Sequence, residues 1–540
     1  MSGISRSVSD HDVVIIGAGV CGIYMLHRMR ELGVSVTVLE AGAVVGGTWY
    51  WNRYPGARFD SESYSYGYSF SREILAEWNW SEHFAGQPET LRYLNFVVDR
   101  LGLREHMQFD SRVKRVSWDE AARIWSVTLE DGRTLTCRFL VTAIGMLSAA
   151  TMPKIEGVAS FEGESFHTYY WPQEPVTLTG KRVAVVGTGA TGVQVISEIA
   201  DKVADLTVFQ RRPNWCAPLH NGPIDAKTQA EIKASYDRIF ARCHDTPGGF
   251  LHGPDDRSFY DLSEAERIAF WEDLYASPGF GVWLGNFREV FFDEAANAEY
   301  TRFIADKIRQ RVNDPELAEK LIPKDHGFGT RRVPLETRYY EAYNRPNVHL
   351  VDLNETPIER ITPSGIRTSD QEYPFDVIIY ATGFDAITGA FDRIDFVGSD
   401  GLQLRDKWQD SPVTYLGLQS GGFPNLFTLA GPQGGSVTTN FPRGIEEAVD
   451  WATDLIRYLR EHGYSRVEPT AEAEDRWGEH VRSTYEMTLI RTARSWFNGY
   501  NSNVAGHDKP RYLIYNGGAQ RYREWLGNVA AKDYEGFEFD

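Results

Sequence analysis

The sequence predicts an α/β protein of two Rossmann-like units with a helical insertion in the second. Two glycine-rich turns carry the prediction, Gly17-Ala18-Gly19-Val20-Cys21-Gly22 and Gly187-Thr188-Gly189-Ala190-Thr191-Gly192. Each follows a short β-branched strand and opens a helix. Residues 221–330 break that alternation and turn charged, aromatic and helix-rich. A chain of 540 residues exceeds one typical core, so two or three domains are expected.

Composition narrows the function classes. With 56 basic against 75 acidic residues the formal charge is −19, which argues against nucleic acid or an anionic membrane as a partner. Cys21, Cys137, Cys216 and Cys243 are scattered without C-x-x-C or metal-ligand spacing, so neither a dithiol redox centre nor a metal site is expected. Residues 1–12 are polar and lack the apolar core of a leader, and no apolar run is long enough to span a bilayer. The expectation is a cytoplasmic monomer or weak oligomer.

The first unit covers residues 12–40. Val13-Val14-Ile15-Ile16 reads as a buried parallel strand, an amphipathic helix follows to Leu32, Gly33 stops it, and 34–39 is the next strand. Gly17 permits the tight turn, Gly19 lets backbone approach a pyrophosphate, and Gly22 allows close helix–strand packing. Glu40, 23 residues after Gly17, is placed to accept a hydrogen bond from a ribose hydroxyl. The stretch from Gly46 to Asp60, GGTWYWNRYPGARFD, suits a loop lying against a flat ring system. By itself Asp60 reads as a turn or helix cap. Residues 123–129 and 134–140 flank a hairpin turn, and 141–145 leads out of the unit.

The second unit, 182–212, repeats the pattern with a different ending. Where the first unit has Glu40, this one has Gln210-Arg211-Arg212. The acid that would hold a free 2′-hydroxyl is missing, and two guanidiniums stand where a 2′-phosphate would take charge-assisted bonds. NADPH is therefore expected here rather than NADH, on Gly187, Thr188, Gly189, Gly192, Arg211 and Arg212. Strands resume at 348–353 and 374–380, the latter running into Ala381-Thr382-Gly383. A strand and turn at 427–432 and a long helix over 444–461 would complete the first unit.

Just ahead of the second unit lies FEGESFHTYYWP, residues 161–172. On its own it reads as a rigid aromatic connector with His167 as a structural residue. Phe161, Gly163, His167, Trp171 and Pro172 match every fixed position of FxGxxxHxxxW followed by Pro or Asp. Gly46 to Asp60 matches GGTWxxxxYPGxxxD, and Ala381-Thr382-Gly383 matches a later ATG motif. From about Asp12 to the C-terminus the sequence resembles the type I Baeyer–Villiger monooxygenases, nearest to the phenylacetone and cyclohexanone branch.

That resemblance implies FAD on the first unit, contacted also by Gly47, Thr48, Trp49, Tyr54, Asp60, Tyr66 and Val113, and NADPH on the second. A ketone and O2 are the other reactants. It implies hydride transfer to the flavin, a C4a-peroxyflavin, and a Criegee-type adduct that collapses to an ester or lactone. Arg332 falls on the family's active-site arginine, with Arg331 beside it for the NADPH phosphate and Asp60 as the neighbouring acid. A permanently charged donor suits the chemistry, since arginine does not give up its proton. Trp496 falls on a tryptophan of a loop that covers NADP, and 436–441, with Val437, Thr438 and Phe441, on a substrate-pocket loop. Relatives read G-A-N-[IV]-P-G-K where this chain carries the longer stretch 499–509, GYNSNVAGHDK. His167 is expected to link domain motion to the NADPH site rather than to move a proton. The expected flavin domain joins 1–150 to 385–540, with a mobile loop near 490–510. The NADPH domain joins 151–220 to 331–384 around the insertion at 221–330. Two rival activities stay open: oxygenation of amines or sulfides, and a flavin redox sensor of low turnover.

Overall fold

The computed structural model describes residues 9–540; most of the polar stretch 1–12 lies outside the described residues. An eight-stranded sheet takes strands from both ends of the chain. Its order is Asp395–Val397, Val113–Asp119, Ile124–Leu129, Thr134–Thr142, His11–Ile16, Val36–Leu39 and Met107–Gln108. The Thr134–Thr142 strand serves two partners on one edge. Its first residues pair antiparallel with Ile124–Leu129, and Leu140, Val141 and Thr142 pair parallel with Leu426–Thr428. Val13, Val14 and Ile15 are fully buried, as an apolar run in a doubly covered parallel strand must be.

The helix Val20–Glu31 departs from the amphipathic expectation. Every residue from Val20 to Leu26 is buried, because the long helix Phe441–His462 covers the side turned away from the sheet. Tyr24 donates to Asp450 at 2.8 Å, and Arg28 pairs with the same carboxylate at 2.9 Å.

The second sheet is wholly parallel, in the order Val348–Asp352, Asp205–Gln210, Arg182–Val186, Val377–Tyr380 and Glu164–His167. Residues 161–172 are therefore more than a connector. Glu164–His167 is an edge strand of this sheet, with His167 opposite Tyr380. Gly163 makes the entry possible, since a Cβ there would lie 2.6 Å from the Phe161 ring and 2.7 Å from the Asp376 carbonyl.

Between the strands Asp205–Gln210 and Val348–Asp352 of that sheet the chain forms Ala226–Asp245, Glu264–Ala276, Glu294–Arg311 and Pro315–Leu321. Each helix starts on a side-chain cap, from Asp225, Ser263, Asp293 and Asp314 in turn, with Glu266 closing a capping box on Ser263. Trp271, Tyr300, Ile304 and Ile308 join the core that includes Val183 and Val185 of the sheet. All four cysteines are buried and free. Among the described residues no helix is long and apolar enough to cross a membrane, and no acid, His or Cys cluster is fit to hold a metal.

Candidate functional site

Both glycine turns sit at the reversal of strand order, the crevice where open α/β sheets take ligands. Gly17 and Gly187 have φ of 106° and 109°, and a Cβ on either would fall 2.5 Å from the carbonyl of Ala143 or Ala381. The segments leaving the central strands thus touch the turns directly. A Cβ on Gly22 would lie 1.8 Å from Gly17 O, and one on Gly192 would lie 2.2 Å from Gly187 O. In the first unit Gly19 meets a second glycine, with the Cβ position of Gly47 only 2.8 Å from Gly19 Cα. Gly189 of the second unit has nothing within 4 Å, an open approach for a pyrophosphate.

A cavity of about 1380 Å³ runs from the first turn. Gly17, Gly19, Glu40, Gly47, Thr48 and Trp49 line one end, with Tyr66 and Val113. Asp60, Arg332, Val437, Thr438, Phe441 and Trp496 line the same cavity. Tyr54 does not join them; its phenol donates to Gln194 Oε1 on the second unit's helix at 2.8 Å. Glu40 is buried at the cavity wall, its Oε2 accepting from Ala18 N–H at 2.6 Å and its Oε1 from Gly42 N–H at 2.7 Å. Burial pushes its carboxyl above the usual range against those backbone donors. Each oxygen keeps a further lone pair, so Glu40 pins the turn and stays open to a ribose. In the aromatic loop, Trp49 Nε1 donates to Tyr66 Oη at 3.0 Å, and Phe59 stacks on Tyr66 at 4.3 Å.

Arg332 and Asp60 meet across 272 residues of sequence. Arg332 Nη2 donates to Asp60 Oδ2 at 2.8 Å and Nη1 to the Val333 carbonyl at 2.6 Å. Leu335 N–H donates to the same Oδ2 at 3.2 Å. Asp60 is buried, and its Oδ1 has no partner. The guanidinium lies 5.5 Å from the Phe280 ring centroid. Two anchors on one guanidinium fix its orientation at the cavity wall.

The fingerprint stretch touches both units. His167 Nδ1 accepts from Tyr169 N–H at 3.1 Å, and its ring stands edge-on to Phe384 at 6.0 Å. Burial pushes its pKa down to about 4, with the Gly383 backbone partly opposing, so the ring is neutral near pH 7. Tyr169 stacks on Trp51 of the first unit at 5.5 Å, and Gln173 donates to Tyr50 Oη at 2.7 Å. Trp171 is buried against Phe166 at 5.1 Å.

Arg211, Arg212 and Arg331 gather outside the large cavity. Thr188 donates to the Arg212 carbonyl at 2.8 Å, and Arg331 pairs with Asp325 at 3.0 Å. Burial and the neighbouring Arg212 push the pKa of both Arg211 and Arg331 down. Arg331 Nε is buried without a partner. Asp325 is held far below the usual carboxylate range by His326 and by Arg331. Three cations against one carboxylate leave net positive charge for an anion.

The cavity also takes residues whose place the sequence left open. Phe280, Trp283, Leu284 and Phe291 come from the helical region and Leu489 and Ile490 from the chain's end. For Phe280, Trp283 and Phe291 the signal is a density of aromatics in an otherwise charged segment, which carries no direction; Leu489 and Ile490 carry none.

The family model that matches, over residues 14–242, is described as pyridine nucleotide-disulphide oxidoreductase; the four buried, scattered thiols supply no disulphide for such a reaction. Across 533 residues, 98% of each chain, the sequence is 48% identical to the 2-oxo-Delta(3)-4,5,5-trimethylcyclopentenylacetyl-CoA monooxygenase of Pseudomonas putida. Cyclohexanone 1,2-monooxygenase of Acinetobacter is 37% identical over 98% of this chain and 96% of its own.

The chain belongs to the Baeyer–Villiger monooxygenases.

A solved OTEMO complex with FAD and NADP matches this Baeyer–Villiger monooxygenase with a TM-score of 0.95 at 48% identity, over 99% of this chain and 100% of the other. The closed crystal structure of cyclohexanone monooxygenase matches with a TM-score of 0.95 at 40% identity, over 99% and 100%. The expected fold class holds, and this is an FAD- and NADPH-dependent enzyme that oxidises ketones.

Proposed function

We propose that Arg332, held by Asp60, is the group around which this Baeyer–Villiger monooxygenase turns a ketone into an ester or lactone with NADPH and O2. The observation that carries this reading is the position of the ion pair, on the wall of the cavity that begins at the first glycine turn. FAD fits the Gly19–Gly47 approach, which a Cβ would close, with Gly17, Gly22, Glu40, Thr48, Trp49, Tyr66 and Val113 around it. NADPH fits Gly187, Thr188, Gly189 and Gly192, with its 2′-phosphate among Arg211, Arg212 and Arg331. When bound, FAD accepts the hydride and activates oxygen; the chain's residues do the rest. The guanidinium stabilises the negative charge that grows on the carbonyl oxygen, and it needs no reorganisation because Asp60 and Val333 already orient it. With the cofactors and ketone in place, Phe280, Trp283 and Leu284 complete the wall that keeps water from that charge. His167 acts as a positioning residue between the units, through Phe384 on one side and Tyr169–Trp51 on the other.

The domain division expected from the sequence accompanies this reading: 1–150 with 385–540, and 151–220 with 331–384, around 221–330. The first sheet's use of strands from both chain ends supports it. Val437, Thr438 and Phe441 set the size of the ketone, and the small polar groups around Phe441 leave room for a bulky one. Trp496, packed on Phe497 at 4.4 Å, closes the pocket near the 490–510 loop. We place the enzyme in the cytoplasm as a monomer or weak oligomer, in keeping with its formal charge of −19.

The test is a screen of the FAD-loaded protein with NADPH against linear, cyclic and steroid-sized ketones under 18O2. The expected product carries one labelled oxygen per NADPH consumed. NADPH consumption that no ketone stimulates would refute the reading.

A further inference from the structure

The loop at 499–509, longer here than in the family pattern, is secured unevenly. Its roots are firm. Asn498 is buried and donates to the Ala493 carbonyl at 2.6 Å and to Tyr485 Oη at 3.1 Å. At the far side Arg511, also buried, donates to Thr388 Oγ1 at 3.2 Å and to the Trp408 carbonyl at 3.1 Å. Gly499 and Gly506, with φ of 77° and 82°, bracket the tip in a conformation that glycine adopts freely. Between them no residue from Tyr500 to Ala505 is buried. Hydrogen bonds rather than apolar packing hold the tip, so it belongs to the least stable part of the fold.

Those bonds converge on the second unit. Asn501 Nδ2 donates to the Phe384 carbonyl at 2.9 Å, just after the Ala381-Thr382-Gly383 turn. Arg211 Nη1 donates to Ser502 Oγ at 2.8 Å. The tip's other charged neighbour, Arg494, lies over the Tyr500 ring at 5.5 Å on its own side of the loop, whereas the Ser502 contact falls on an arginine of the second unit for which no carboxylate partner is seen among the described residues. The Ser502 hydroxyl accepts from the guanidinium and keeps its own proton to donate. A dianion seated against Arg211 would accept that proton, completing a chain from guanidinium to hydroxyl to phosphate oxygen.

We infer that Ser502 is a specificity residue for the coenzyme: with Arg211 it reads the ribose 2′-phosphate of NADPH, and it ties the seating of the 499–506 tip to that phosphate. The inference rests on the assignment of Arg211 and Arg212 to the 2′-phosphate and adds a residue outside the Rossmann unit. The coenzyme that lacks the phosphate offers Ser502 no acceptor, so the tip gains nothing from its binding. Selection between the two coenzymes then depends partly on loop closure.

The test uses FAD-loaded enzyme, calorimetric titration with NADP+ and NAD+, and hydrogen–deuterium exchange of the amides from 500 to 509. In the wild type NADP+ should slow exchange at the tip and NAD+ should not. Ser502→Ala should weaken NADP+ binding about 10- to 100-fold, the range for a lost hydrogen bond to a charged group. It should abolish the NADP+-dependent protection and leave NAD+ affinity within about twofold. Ser502→Thr, which keeps the hydroxyl, should restore both. Equal weakening for the two coenzymes, or full protection in Ser502→Ala, would overturn the inference. A wild type that binds NADP+ and NAD+ alike, with Arg211→Ala no different, would instead bring down the assignment of the arginines on which it rests.

Discussion

Arg332→Ala removes the guanidinium and leaves the Asp60 carboxylate behind. That carboxylate is 4% exposed, its Oδ1 already lacks a partner, and only Leu335 N–H would remain on Oδ2 at 3.2 Å. Two costs follow. The lost donor should lower the rate of ester formation by about 10²–10³-fold, or ~2.7–4 kcal/mol, as for one preorganised donor at an oxyanion. The stranded carboxylate should cost less than the ~3–5 kcal/mol of a fully buried broken pair. The Arg332 side chain is 31% exposed and the cavity admits water, so a loss of about 1–2 kcal/mol in folding stability is expected after discounting for screening. Arg332→Lys should fall between, since an ammonium cannot span Asp60 and the Val333 carbonyl as a planar fork does. The assay has three readings on one preparation: flavin absorbance for FAD content, stopped-flow reduction by NADPH, and gas chromatography of product. FAD content and reduction should survive while product falls. Product at the wild-type rate, or loss of reduction together with product, would refute the assignment of the charge to the oxygen-transfer step.

Asp60→Ala should be milder than Arg332→Ala because Val333 still holds the guanidinium; loss of one charge-assisted bond predicts about a 10- to 100-fold fall in product formation, read by the same chromatography. His167→Ala should slow steady-state turnover while FAD stays bound, and unchanged kinetics would return the residue to a purely structural role. His167 also predicts a pH dependence of stability. Its pKa is about 4 folded against 6.5 unfolded, so between those values the unfolded chain binds more protons and stability falls as pH drops through the window. From pH 7 to pH 5 this removes about 2 kcal/mol at ~1.36 kcal/mol per unit, and urea unfolding of His167→Gln should lack that increment. Arg211→Ala should raise KM for NADPH about tenfold or more while leaving NADH nearly unaffected, and a parallel rise for both would count against the 2′-phosphate site.

What was legible in the sequence is what short stretches encode. The glycine turns read correctly because each glycine answers a local demand, as the Cβ positions at Gly22 and Gly192 make plain. The family was legible from spaced fixed residues in 46–60 and 161–172. Features that depend on distant partners were not. The helix Val20–Glu31 looks amphipathic until Phe441–His462 is laid over it. Glu164–His167 looks like a connector because an edge strand of four residues has no periodicity to betray it, and its partner Val377–Tyr380 lies some 210 residues away. Tyr54 sits inside a flavin motif by spacing, yet its phenol turns to Gln194. The helical region's contribution to the cavity was invisible for the same reason: aromatics announce burial but not against what.

The double-partnered Thr134–Thr142 strand bears on biosynthesis. Leu140, Val141 and Thr142 emerge from the ribosome about 280 residues before Leu426–Thr428 can pair with them. At ordinary elongation rates that is roughly 15–60 s. For that interval the nascent first unit presents an apolar, unpaired strand end, a template for mispairing with neighbouring chains. Yield in a heterologous host should therefore depend on chaperone supply and translation speed more than on the stability of the finished enzyme. Truncation anywhere before residue 428 should leave an aggregating fragment, even though the first glycine turn and its strands would be complete.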